Sequence, residues 1–185
     1  MIPGLALAGC AIPTQRQPSA IPSGHVPFGL LNHQLPTTTT TQPKASVQVK
    51  IFLLGPNRRL VEETRVVPVP AALKSVIIQL LGGPIQKEET ARISTALPNS
   101  VQVISATLSK NPPIATVNFN QAFGEITGSS TELAVAQVVF TVVTASTLDT
   151  GVIFEIDGQT ISVPVASGAQ VSGPVYLSQF LTNGP

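Results

Sequence analysis

The chain has 185 residues, of which 10% are charged and 43% hydrophobic, and its formal net charge is +1. That is about one ordinary domain with room left for a tail, built on an aliphatic core without Trp, and too evenly charged for a nucleic-acid footprint. A single Cys excludes an internal disulfide framework and any Cys-rich zinc or iron–sulfur site, and two His leave little for metal or triad chemistry.

The chain opens MIPGLALAGC. Leu7-Ala8-Gly9-Cys10 is an apolar residue, two small ones and then Cys, and it resembles the lipobox of bacterial lipoprotein signals. In such signals the small residues give a peptidase access to the backbone, and the thiol receives diacylglycerol. The segment departs from the full pattern in lacking a positive n-region and in its short apolar stretch. The resemblance implies that residues 1–9 are a signal remnant and that Cys10 carries a lipid anchor at the outer side of the cell membrane. Composition shifts near residue 45. Before it lie seven of the 17 prolines, both histidines (His25, His33) and only Arg16 and Lys44 as charges. The run Pro36–Pro43, PTTTTTQP, favours extended backbone and offers nothing to bury. Residues 10–45 are therefore expected to be a Pro/Thr-rich disordered tether. No later stretch reaches the ~20 apolar residues that span a bilayer.

The ordered part is expected from 46 to 181 as one domain. SVQVKIFLLG alternates and then runs apolar, as a strand entering a core does. Gly55-Pro56-Asn57 is turn chemistry, and LVEETRVV (60–67) can pair back as a second strand. Pro70 suits the first turn of a helix. Leu73, Val76, Ile77, Leu80 and Leu81 then fall on one helical face, ended by Gly82-Gly83-Pro84. A short helical turn follows within 86–97. SVQVISATLS (100–109) reads as a strand with Val101, Val103 and Ser105 on one face, and IATVNFN (114–120) as its returning partner. A second helix opens at Ser129, with Glu132 at capping-box spacing and a polar stripe of Gln137, Thr141 and Thr144. GVIFEIDGQTISVPV is a hairpin whose turn residues are Asp157 and Gly158, a pair favoured in type I′ turns. The order ββα-ββ-α-ββ predicts an α+β fold, a mainly antiparallel sheet with two principal helices on one face.

Candidate chemistry is sparse. Glu62-Glu63 sit on a strand, where neighbours point to opposite faces, so they form no acid/base pair. Glu88-Glu89 sit in a loop or first helical turn, where they favour the helix N-terminus. Arg58-Arg59 read as a solvated turn, with anionic lipid or cell wall as the alternative contact. Tyr176 and Phe180 follow Gly173-Pro174 and are expected to pack back on the domain. His25 and His33 lie in the tether without a third ligand nearby. No catalytic residue, metal or cofactor is expected.

Several segments together resemble the GerMN domain of sporulation and germination proteins and of actinobacterial lipoproteins. They are VKIFLL, LLGGPIQKEE after the first helix, TALPNSVQVIS, ATVNFNQAF, and ELAVAQVVFTVVTASTLDTGVIFEIDGQTISVP. They span about 46 to 164 in the family's order and spacing. The chain departs at Asn118, where relatives often carry Asp, and in STLDTG, where a Pro-Gly turn is more usual. The family is not known for catalysis. The resemblance implies an envelope-facing protein-interaction domain, held at the membrane through Cys10, with an envelope protein as partner and no nucleic acid. The alternative is a module binding a small ligand such as a cell-wall fragment. A deep pocket with convergent polar groups would favour the ligand reading. An uncovered sheet face or edge would favour the interaction reading.

Overall fold

The computed structural model describes residues 45–146 and 150–183. Cys10, residues 11–44 of the tether with His25 and His33, and residues 147–149 of STLDTG lie outside the described residues. Two long strands, β1 (Ser46–Leu54) and β2 (Leu60–Pro68), pair antiparallel as a separate two-stranded sheet. Their turn is closed by Gly55, whose N–H donates to Arg59 O at 2.8 Å. Helices α1 (Leu73–Leu81) and α2 (Gln86–Thr90) follow. The first buries Val76, Ile77 and Leu80, the stripe read from the sequence. It begins later than expected. Ala72 is its extended cap residue, so Pro70 lies ahead of the helix and not in its first turn. The physical reason is that β2 runs on: Val69 N–H still bonds Ala45 O at 2.9 Å, holding the chain extended past Pro68.

Strands β3 (Val103–Leu108), β4 (Ile114–Phe119), β5 (Gly151–Ile156) and β6 (Gln159–Thr160) form a second sheet in that order. β3–β4 and β5–β6 are antiparallel hairpins, whereas β4 and β5 pair in parallel because α3 (Ser129–Ser146) carries the chain across between them. Ser105 does not share the inner face with Val101 and Val103. A register shift between Val103 and Ser105 inserts an extra residue and hands the inward position to Ala106. The last hairpin is also shorter than the sequence suggested. After Thr160 the chain leaves β5, and β7 (Val163–Pro164) pairs with β8 (Gln170–Val171).

α3 is buried all round from Leu133 to Val142, which explains its weak amphipathic pattern. It packs on α1, β1, β5 and β7. Phe52 meets Phe140 at 5.3 Å between ring centroids, and Phe119 stacks on Phe123 at 4.5 Å. Two buried polar residues of α3 finish the edge of β1. Thr141 Oγ1 accepts from Phe52 N–H at 3.1 Å, and Gln137 Nε2 donates to Phe52 O at 3.0 Å. Gln137 Oε1 also accepts from Ala96 N–H at 2.8 Å. Thr144, third in the predicted stripe, is exposed. Phe180 is fully buried and Val175 bridges Val152, so the C-terminal segment packs back, while Tyr176 stays 39% exposed.

Candidate functional site

β2 alternates Val61, Glu63, Arg65 and Val67 toward the inner face and Glu62, Thr64 and Val66 toward solvent. Two charged residues on an inner face are unusual, and α2 explains them. Ile85 is its extended cap residue, and Glu88 reaches back so that Oε2 accepts from Ile85 N–H at 2.9 Å. The same carboxylate receives Arg65 in fork geometry, Nη1 to Oε1 at 2.7 Å and Nη2 to Oε2 at 2.6 Å. Arg65 also donates to Gly83 O and to Thr64 O, each at 3.1 Å. The pair is closed off from water, with the Arg65 and Glu88 side chains 10% and 7% exposed. Glu88 is thus a staple between α2 and β2.

Glu63 joins this staple from the strand. Burial first, then the adjacent Glu88 carboxylate, raises the Glu63 carboxyl above the usual value, while Arg65 and Lys87 oppose the rise. Hydrogen bonds from Arg65, helped by Ile85 N–H, hold Glu88 below the usual value against the cost of its burial. Glu62 points to the other face and pairs with Lys50 at 3.0 Å. The sequence-adjacent carboxylates are therefore separated, as strand geometry requires, but one from each pair is brought together as Glu63–Glu88. Half of the signal for that meeting lies in β2: Val61, Glu63, Arg65 and Val67 share one strand period, which places charge where an apolar residue would otherwise sit, but nothing there names Glu88. Glu89 is exposed in the first turn of α2. Beside the staple, β2 and α2 bound an open cleft of about 390 Å³, lined by residues including Glu63, Arg65, Ile85, Lys87 and Ile93.

The other singled-out residues are architectural. Asp157 (φ 48°) and Gly158 (φ 81°) turn the chain between β5 and β6. Asn118 Oδ1 accepts from Gly158 N–H at 3.0 Å and so fastens this turn. Arg58 donates to Ser129 Oγ at 3.3 Å, linking the β1–β2 turn to the start of α3, and Asn57 Oδ1 accepts from Arg59 N–H at 3.1 Å. A second cleft, about 420 Å³, lies between the β7–β8 hairpin and the C-terminal 3-10 turn and is lined by uncharged residues such as Ser167, Ser178 and Gln179. Among the described residues no His, Cys, Asp and Glu cluster has the makings of a metal site, and no helix is long and apolar enough to cross a membrane.

The family model described as Germane: Sporulation and spore germination matches residues 50–162. The fold is similar to the first GerMN domain of the sporulation protein GerM from Bacillus subtilis, with a TM-score of 0.55 and 23% identity over 71% of this chain and 98% of that one. It is also similar to the tandem GerMN domains of the same protein, with a TM-score of 0.54 and 21% identity over 71% of this chain. The match spans 46% of that two-domain chain. No curated protein sequence matches.

Proposed function

The chain belongs to the Germane family, and from that membership we propose that it is a non-catalytic cell-envelope lipoprotein whose GerMN-like domain binds a protein partner. The anchor in this reading is a lipid on Cys10, at the extracytoplasmic side of the membrane, with residues 10–45 as the tether. The observation that carries the interaction role is an uncovered sheet edge. Among the described residues β2 has no strand on its outer side, while the outer side of β1 is closed at Phe52 and Leu54. Open edges invite pairing by a further strand. The two clefts described support a ligand role less, because both are open and, in the charged one, Arg65 and Glu88 already hold each other. The sporulation role printed for GerM is a role of that protein; here it supports only the envelope-interaction class.

Expression from its native gene in its own host tests the anchor. The wild type should enter the detergent phase with membranes, and Cys10→Ser should be released or left unprocessed. If both stay aqueous and equal in length, the lipoprotein reading fails. Cross-linking in cells tests the interaction role: a photoreactive residue scanned over the exposed surface should capture a discrete envelope protein.

A further inference from the structure

We propose that the outer edge of β2, with the cleft beside α2, accepts an extended segment of a protein partner as an added strand, with a basic residue of that segment seated on Glu63. This rests on the interaction reading and names its surface and its chemistry.

The backbone polarity follows from the sealed edge opposite. Phe52 N–H and C=O both bond α3, and Leu54 N–H and C=O both bond Ser94 at 2.8 Å. Both residues therefore point their polar groups away from β2. The register sets Phe52 opposite Glu62 and Leu54 opposite Leu60. In an antiparallel ladder these are non-hydrogen-bonded pairs, so Glu62 and, by alternation, Thr64 and Val66 point their own N–H and C=O outward. The Thr64 carbonyl already accepts from Arg65 Nη1 at 3.1 Å, so Thr64 offers its N–H to an incoming strand. Among the described residues no backbone group bonds Glu62, Thr64 or Val66 across this edge. The result is a row of donors at Glu62, Thr64 and Val66, with acceptors at Glu62 and Val66, at the two-residue period an incoming strand supplies.

The surroundings suit a strand lying between a sheet edge and a helix. The cleft of about 390 Å³ borders both β2 and α2. Ile85, at the start of α2, is 54% exposed, and Val66 on the solvent side of the edge is 58% exposed. Alternate side chains of an added strand would cover each in turn. Charge then selects the segment. Lys50 takes Glu62, and Arg65 takes both oxygens of Glu88. No ion pair reaches Glu63 among the described residues; partly buried, it is hydrogen-bonded to the Glu88 carboxylate, with Arg65 and Lys87 near enough only to oppose the rise. A Lys or Arg on the cleft-facing side of the added strand would relieve that repulsion, whereas an acidic residue would worsen it. Inward-pointing charge is also a way of blunting an edge against aggregation, which is the competing outcome.

The test uses the full chain, 15N-labelled, and a capped peptide of alternating Val and Lys. Matched peptides carry Glu in place of Lys, or a central Pro. The Lys peptide should shift the amides of Glu62, Thr64 and Val66 and slow their exchange; the Glu and Pro peptides should do neither. Glu63→Gln should weaken binding about tenfold, the loss of one partly buried charge pair. Thr64→Pro should abolish it while leaving the melting curve near that of wild type. No binding by any peptide, shifts confined to another surface, or equal binding of the Lys and Glu peptides would overturn the proposal and leave an edge that is only blunted. A photoreactive residue at Thr64 and one at Ile78, on the outer face of α1, separate this from the broader reading in cells. Capture from Ile78 and not Thr64 overturns the edge proposal but keeps an interaction domain. Capture from no surface position overturns the interaction reading itself.

Discussion

Along β1, the outward backbone groups of Phe52 are taken by Thr141 and Gln137, and those of Leu54 by Ser94. Along β2, the equivalent groups of Glu62 and Val66 and the Thr64 N–H bond no backbone group among the described residues, while Thr64 O accepts from Arg65 Nη1. The same two-stranded sheet thus has one edge sealed at Phe52 and Leu54, by buried Thr141 and Gln137 and by the Ser94 backbone, and one edge with no such cover among the described residues. Sealing is obligatory on the β1 side, because α3 excludes water there and an unpaired backbone group would carry its whole desolvation cost. On the β2 side water can serve until something else does. The open side is not loosely held, however. Its inner face is stapled to α2 by Arg65 and Glu88, so the edge is a rigid template.

The largest expected effect tests that rigidity. Glu88→Ala leaves the Arg65 guanidinium nearly buried without its partner and frees Ile85 N–H. Removing one member of such a pair costs about 3–5 kcal/mol. Urea denaturation should show it, and a loss below about 1 kcal/mol would mean that water replaces the carboxylate, against the 7% exposure of Glu88. Next comes the sealed edge. Gln137→Leu keeps the side-chain volume but orphans Phe52 O and Ala96 N–H. Each buried group left unpaired costs about 1–3 kcal/mol, so a loss of roughly 2–5 kcal/mol is expected. A neutral result would show that α3 and β1 can part enough to admit water.

A smaller effect is expected with pH, and its sign differs for the two carboxylates of the staple. Glu88 is held below its ordinary value of 4.5, mainly by Arg65, so its contribution is present above 4.5 and is lost as pH falls through its folded-state value. Glu63 is raised above 4.5 by burial and by Glu88, so the folded state binds its proton more readily than the unfolded state does. Acidification from neutral should therefore first raise stability, between the folded-state value of Glu63 and 4.5, and then lower it as Glu88 titrates. Glu63→Gln should remove the first limb only. A profile that falls monotonically in wild type and variant alike would show that neither burial nor Glu88 raises Glu63.

Much of the fold was legible in local patterns. The helical stripe from Leu73 to Leu81, the paired strands 46–54 and 60–68, and the turn at Asp157-Gly158 each depend on residues within a few positions. What was not legible depends on contacts across the chain. The parallel β4–β5 pairing follows from the path of α3, and the displaced role of Ser105 from a register shift that its own alternation does not announce. The same holds for the staple. Glu63 and Glu88 read as halves of two adjacent pairs, and only the docking of α2 under β2 makes them partners. The period of β2 marked Glu63 and Arg65 as inward, but nothing local to them named Glu88.

The smallest expected effect isolates the open edge itself. Proline removes a backbone donor, so its cost along β2 depends on which way each N–H points. Thr64 N–H faces out by the register of β1, and Thr64→Pro should cost no more than about 1 kcal/mol, chiefly from fixing φ. Glu63 lies opposite Ile51 in a hydrogen-bonded pair, and Glu63→Pro should cost about 1–3 kcal/mol more than Glu63→Ala through the lost ladder bond. Glu63→Ala supplies the control, because it removes the carboxylate and keeps the N–H. Subtracting it leaves the backbone contribution alone. Tolerance at 64 with intolerance at 63 would establish an unpaired edge independently of any partner. Equal and large losses at both positions would mean that something already pairs with β2 on its outer side, and the contrast between the two edges would disappear.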